Sequence, residues 1–297
     1  MDRRVVLIAS GDLSHKLKDD GPYGYAIQGP AFDAAVTDAM ASADFGRFLT
    51  FDESFCDAAG ECGLRSFTIM AGALDRKALR AELLSYEGPF GVGYAVAAYD
   101  VIGEDASRAF GDAHEDAERE RLSSTKSAED ATVRLARATL ERYVGTGLVP
   151  SRPDALPDEL LRERAGVFVS LKRDGRLRGC IGTTAPTTAC IADEIIQNAV
   201  SAGTRDPRFD PVRRDELPSL VYSVDVLGVP EPVAGPGDLD PKRYGVIVRR
   251  GGRSGLLLPD LEGVDTVAEQ LAIALRKAGI DPSETYSIAR FEVVRHH

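Results

Sequence analysis

The stretch Leu177-Arg178-Gly179-Cys180-Ile181-Gly182 follows an apolar run, Gly166-Val-Phe-Val-Ser-Leu171, and a turn signal, Arg173-Asp174-Gly175. An Asp-Gly pair between two strand-like runs signals a β-hairpin. Glycines on both sides of a cysteine mark a place where backbone approaches a neighbour closely and little side chain blocks access. Cys180 then has two readings. It is a small hydrophobe in a strand that needs its glycines for packing. Alternatively, it is a thiol whose pKa is lowered by Arg178, which at i and i+2 on a strand shares its face.

Outward from the hairpin, residues 129–297 read as one α+β unit. Leu135, Leu140 and Tyr143 give a helix over 133–144 an apolar stripe, ended by Gly145 and Gly147. Ile191, Ile195, Ile196 and Val200 share one face of a helix over 191–202. The run 220–227 alternates like a strand. A second strand pair, 244–249 and 255–258, surrounds Arg250-Gly-Gly-Arg253. A helix over 267–278 precedes a final strand over 288–294. Helices mixed with antiparallel hairpins indicate an α+β fold.

The 297 residues suffice for two domains. Hydrophobic content of 43% and charged content of 28% are those of a soluble globular protein. No apolar run approaches the roughly 20 residues that span a bilayer, and Val5–Ala9 is too short for a secretory signal. The cytoplasm is therefore the default address. A net charge of −11 repels polyphosphate backbones. The basic clusters at Lys172-Arg173, Arg176, Arg178 and Arg249-Arg250 lack interleaved aromatics, which speaks against nucleic acid. Four cysteines without a CxxC pair make neither a disulfide framework nor a common zinc site.

Residues 1–103 alternate strand and helix signals, as an α/β layer does. Val5–Ala9 reads as a buried strand, Pro30–Phe48 as a helix, Gly63–Leu74 as a buried helix and Gly91–Tyr99 as a closing strand. Residues 104–128 form a charged linker, either a solvated helix or a tether.

Three motifs in order, Leu177–Thr183, Arg205-Asp-Pro-Arg-Phe209 and Glu216-Leu-Pro218, resemble the AMMECR-type domain family over residues 129–297. The resemblance implies a compact α+β domain with two unequal lobes and a surface patch, without an assigned reaction. On that patch Arg178, Gly179, Arg205, Asp206 and Arg208 bind a small anion or a protein partner, and Cys180 is a candidate nucleophile. Pro207 fixes the turn and Phe209 anchors it. No histidine lies in 129–295, so the folded part of this domain offers Cys180 no histidine base.

In the first half, Ser10-Gly-Asp-Leu-Ser-His15, Gly21-Pro-Tyr-Gly-Tyr25, Gly60-Glu-Cys-Gly-Leu-Arg65 and Tyr86-Glu-Gly-Pro-Phe-Gly-Val-Gly-Tyr94 stand in order. Together they resemble the class III extradiol ring-cleavage dioxygenase family and its Memo-like relatives, over residues 4–102. The match corresponds to the C-terminal part of that family's domain. The resemblance implies Fe(II) held by two histidines and a carboxylate, with open positions for a catecholate and dioxygen. It makes His15 the acid/base, Glu61 the carboxylate ligand with Cys62 as the alternative, and Asp12 and Tyr23 supports behind them. Residues 1–103 contain one histidine, so they do not supply a full facial triad.

The expectation is a cytoplasmic fusion of a truncated dioxygenase/Memo-like α/β segment with an AMMECR-type α+β domain. Three accounts of the missing half stand open: an internal start in a longer reading frame, a natural truncation with a scaffold role, or a partner subunit or second copy that supplies the absent strands. The last two predict an interface on the exposed sheet edge. Pairings of these two families resemble the AmmeMemoRadiSam systems, which implies a radical SAM enzyme as a pathway partner.

Overall fold

The computed structural model describes residues 4–261 and 263–297. The chain divides into two compact units, one ending at Arg121 and one starting at Leu122. No helix among the described residues is long and apolar enough to cross a membrane.

In the first unit, α1 (Gln28–Ser42) buries Phe32, Val36, Ala39 and Met40, a helical stripe. Ala43, at φ 52°, ends it. The short α2 (Glu53–Ala59) begins at Asp52, whose carboxylate accepts from the Phe55 N–H at 3.0 Å, and stops at Gly60 with φ 66°. Next come α3 (Leu64–Ala73) and an antiparallel hairpin, β1 (Lys77–Glu87) with β2 (Tyr94–Glu104). Leu79, Ala81 and Leu83 on β1, with Ala95, Ala97 and Tyr99 on β2, pack on a core of Phe32, Val36, Phe45, Phe48 and Phe67. The Tyr99 ring meets Phe45 edge-on at 5.0 Å.

The expected strand Val5–Ala9 does not form. Val5, Val6 and Ile8 are each more than four-fifths exposed, and no ladder includes them. A strand exists only where another strand accepts its hydrogen bonds, and the hairpin offers this run none. The charged stretch resolves as α4 (Phe110–Ala128), with no buried residue and with i,i+3 pairs Asp116–Arg119 and Glu118–Arg121.

In the second unit, α5 (Ala131–Thr146) starts at Asp130, which accepts from the Thr132 and Val133 N–H groups, and ends at Gly147. After α6 (Asp158–Arg162) come β3 (Val167–Arg173) and β4 (Arg176–Gly182). Asp174 and Gly175 join these two strands with φ of 52° and 75°, the positive pair a tight hairpin requires. Then follow α7 (Ile191–Thr204), β5 (Leu220–Leu227), β6 (Glu231–Val233), β7 (Gly245–Arg250), β8 (Arg253–Leu257), α8 (Val267–Ala278), β9 (Ser287–Phe291) and β10 (Val293–His296). They build two antiparallel four-stranded sheets, ordered β10-β5-β3-β4 and β6-β9-β7-β8.

The single final strand expected over 288–294 is two strands, broken at Glu292 and shared between the sheets. There the Glu292 carbonyl accepts from the Gly228 N–H at 2.8 Å, and the chain steps from β7 to β5 as its partner. In the first sheet Val167, Val169 and Leu171 point into a core with Ile191, Ile195, Ala199 and Leu140. In the second, Val246 and Val248 pack on Leu271, Ala274 and Leu275. Each sheet has an edge-strand glycine under its helix. A Cβ on Gly179 would lie 2.3 Å from the Ala202 carbonyl oxygen of α7. One on Gly255 would lie 2.1 Å from the Ala274 carbonyl oxygen of α8.

Candidate functional site

In the first unit, two loops are drawn together below α1. The Ser14 N–H donates to the Asp33 carboxylate at 2.7 Å, and the Ser14 hydroxyl to the Ala59 carbonyl at 2.8 Å. Ser14 also bridges to Glu61, and the His15 N–H donates to the Gly60 carbonyl at 3.3 Å. The approach is close: a Cβ on Gly11 would lie 2.4 Å from the Gly63 Cα. Asp33 is buried, and burial raises its pKa against the opposing hydrogen bonds from Ser14 and the Tyr86 hydroxyl. It anchors the loop that carries His15.

Asp12, His15 and Cys62 each present a ligand atom, all within 4.8 Å of one another. His15 Nε2 is shielded from solvent, makes no hydrogen bond, and lies 3.3 Å from an Asp12 carboxylate oxygen. The Tyr23 ring stacks on His15 at 5.1 Å and fixes its plane. The Cys62 sulfur accepts from the Asp12 N–H at 3.4 Å. Glu61 lies outside this group. Its carboxylate accepts from the Leu64 N–H at 2.7 Å and so caps α3. Of the two candidates at that position, the thiol faces His15 and the carboxylate turns to a helix end. An imidazole, a carboxylate and a thiolate form an N/O/S donor set that suits a divalent transition metal. An orphaned imidazole nitrogen inside the group fits such an ion.

In the second unit Arg178 does not stand free beside the thiol. Its guanidinium binds Glu216 through two hydrogen bonds, at 2.8 and 3.1 Å, and Glu216 also accepts from the Arg213 N–H at 2.8 Å. Arg178 holds the buried Glu216 carboxyl down to about 2. The arginine's charge is neutralised there, which removes the field expected to activate Cys180. The thiol instead lies 3.2 Å from the Ser170 hydroxyl across the β3–β4 ladder.

Cys180 sits on an edge strand, and the turn after α7 covers that edge. The Asp206 carboxylate accepts from the Cys180 N–H at 2.9 Å, and Arg208 donates to the Cys180 carbonyl at 3.3 Å. Arg208 also grips Asp206 at 2.7 Å and holds its carboxyl well below the usual range. Phe209 lies under both Arg178, at 5.9 Å, and Arg208, at 5.5 Å. Arg178, Cys180, Asp206 and Arg208 thus come together, with Gly179 buried beneath α7. Arg205 does not join them and lines a separate concavity.

Sequence reasoning missed Glu216 as the arginine's partner, although the Glu-Leu-Pro motif contained it. It also missed buried Glu194, which accepts from the hydroxyls of Thr183, Thr187 and Thr188 and fastens the loop after β4. No sequence signal singled it out. His296, on β10, pairs with Asp130 at the start of α5.

Residues 133–296 match the family model AMMECR1, and residues 1–97 match that of the catalytic LigB subunit of aromatic ring-opening dioxygenase. A protein of Clostridium acetobutylicum is 47% identical over 297 residues, and this chain spans 63% of its length. A Thermotoga maritima protein is 54% identical over 166 residues, 55% of this chain and 95% of that protein. The crystal structure of an uncharacterized protein from Pyrococcus horikoshii is similar at 37% identity and a TM-score of 0.52. That match covers 55% of this chain and 88% of the other.

Proposed function

We propose, for a chain that belongs to the AMMECR1 family and carries a LigB-like first unit, that the first unit holds a divalent metal, Fe(II), through Asp12, His15 and Cys62. The observation that carries this is the orphaned His15 Nε2 inside a three-residue donor group. Bound there, ferrous iron would supply the Lewis acidity and oxygen chemistry of ring opening. The protein's own contribution is positional. Asp33 and Ser14 hold the His15 loop, Tyr23 fixes the imidazole plane, and Glu61 orients the loop through α3.

Three donors leave room for ligands from outside the group. Val5, Val6 and Ile8 lie exposed five or more residues before His15 and have the β-branched character of a paired strand. Polypeptide of a longer chain or of a partner, pairing with that run, would bring further ligands to the site. The AMMECR1 unit serves as the companion binding module in a radical SAM-associated modification pathway. Neutralisation of Arg178 by Glu216 supports this reading over thiol catalysis at Cys180.

Cobalt(II) titration tests the site, because a cysteinate ligand gives an intense near-ultraviolet charge-transfer band. We expect that band in the intact chain and in Cys180→Ser, and its loss in Cys62→Ser. A band that survives Cys62→Ser, or no cobalt or iron uptake by the intact chain, would overturn the assignment.

A further inference from the structure

Helix α7 has a second face that the sheet does not cover. Ile191, Ile195, Ile196 and Ala199 all belong to the core, and Ile196 (7% exposed) and Val200 (4% exposed), one turn apart, also reach the floor of a concavity of about 310 Å3. Val149 and Pro150, in the segment after α5, form its apolar wall. Arg152 stands at one end, tied to Asp193 near the start of the helix. Arg205, the residue that ends α7, stands at the other. Twelve residues separate positions 193 and 205, about 18 Å along a helix.

The two arginines differ in how much of their donor capacity is used. Arg152 uses one nitrogen, Nη1, which reaches Asp193 at 2.7 Å and the Cys190 sulfur at 3.0 Å. Its Nε and Nη2 have no partner among the described residues. The Arg205 side chain has no hydrogen bond, ion pair or ring contact among the described residues, although every neighbouring arginine in this unit's signature motifs is paired. A guanidinium presents five N–H donors in a planar fork that matches a carboxylate. The other polar wall residue, Gln197, is neutral and leans on Thr187 at 3.4 Å. With Asp193 already matched by Arg152, the concavity carries one uncompensated positive charge over an apolar floor.

We propose that this concavity binds a small amphipathic carboxylate, its anionic head on Arg205 and its aliphatic or aryl body along Ile196, Val200, Val149 and Pro150. The size favours a small molecule over a polypeptide. About 310 Å3 lies at the lower bound for ligand pockets, and a protein interface spreads over some 800 Å2 per partner. The apolar floor disfavours a plain inorganic anion, which gains nothing from Ile196 and Val200. Neither Arg178 nor Cys180 lines this space, so the site is separate from the hexapeptide.

The test is calorimetric titration of the full chain with 4-phenylbutyrate, 4-phenylbutanol and inorganic phosphate. The carboxylate should bind, with the alcohol and phosphate each at least about tenfold weaker, since a charge-assisted hydrogen bond contributes about 1.5–3 kcal/mol. Arg205→Met should weaken binding of the carboxylate about 10- to 100-fold. Val149→Ser, on the exposed wall, should weaken it several-fold without unfolding the helix. Arg249→Met removes an exposed arginine elsewhere in this unit and should leave affinity unchanged. Equal binding of acid and alcohol, tighter binding of phosphate, loss equal in Arg249→Met and Arg205→Met, or no carboxylate binding at millimolar concentration would each overturn the proposal.

Discussion

Gly179→Ala tests whether the Leu177–Gly182 hexapeptide is built for packing. Its backbone φ is not positive, so alanine introduces no backbone strain there. The whole effect is spatial. A Cβ would sit 2.3 Å from the Ala202 carbonyl oxygen, against a carbon–oxygen contact of roughly 3.4 Å, so α7 must withdraw by about 1 Å. That carbonyl belongs to the helix backbone and cannot rotate aside. A gap of this size forfeits about a quarter to a half of each dispersion contact, and the helix face concerned holds Ile191, Ile195, Ala199 and Ala202. Overpacking of this kind costs about 3 kcal/mol. The reduced freedom of the unfolded chain returns up to about 1 kcal/mol, which leaves about 2 kcal/mol of net destabilisation. For a unit of this size that lowers the melting temperature by about 4–8 °C. The chain contains no tryptophan, so far-ultraviolet circular dichroism and calorimetry are the suitable probes, with amide exchange in β4 and α7 to locate the effect. Cys180→Ser, nearly isosteric and still beside Ser170, should shift stability by less than about 1 kcal/mol. Wild-type stability in Gly179→Ala would refute the reasoning.

Glu129→Gln should destabilise the second unit by about 3–5 kcal/mol, because it leaves Arg137, 7% exposed and stacked over Tyr222, as a buried charge without its bidentate partner; calorimetry reads it. Arg178→Met should open a stability gap to wild type that depends on pH. Glu216 has its carboxyl depressed to about 2 from 4.5, so the gap should be full above about pH 4.5 and close as pH falls toward 2, as acid titration of the unfolding midpoint would show. Alkylation at pH 8 should modify exposed Cys62 and spare Cys56, whose thiol is pushed up to about 11 by burial and by carboxylates led by Glu61; mass spectrometry of labelled peptides distinguishes the two.

Most of the second unit was legible because its signals are local. The strand Leu220–Leu227 and the helix Val267–Ala278 appear at the boundaries their periodicity gives, and the Asp174-Gly175 turn follows from backbone sterics alone. What failed depended on distant partners. Val5–Ala9 has the composition of a strand, but nothing in its own residues says whether a neighbouring strand is present. The run 288–294 is continuous in sequence, yet Glu292 divides it because two different sheets claim its halves. At the candidate sites the residue types were readable and their pairings were not. Arg178 and Glu216 are 38 positions apart, and spacing along one chain carries no information about which carboxylate an arginine finds.

The second sheet provides an internal control for reading the hexapeptide. Gly255 lies under α8 as Gly179 lies under α7, each blocked by a helix carbonyl a little over 2 Å from a would-be Cβ. Gly255 is followed by Leu256 and Leu257, with no cysteine near it. A glycine under the helix is therefore what an edge strand needs in order to carry a close-packed helix, whether or not a thiol follows. The backbone of Cys180 is likewise occupied, its N–H by Asp206 and its carbonyl by Arg208, which shields an edge that would otherwise pair with another strand. Both glycine and turn have structural duties that proceed without a reactive sulfur, and Arg178, the cation two residues before the thiol, is neutralised by Glu216. In the first unit the balance is reversed. Gly11 and Gly63 bring two loops together at a point where an imidazole nitrogen, a carboxylate and a thiol converge, and that nitrogen has no hydrogen bond. Close backbone approach ends in satisfied hydrogen bonds at Cys180 and, at His15, in a buried imidazole nitrogen without a hydrogen bond beside a carboxylate and a thiol, a gap that a metal ion fits.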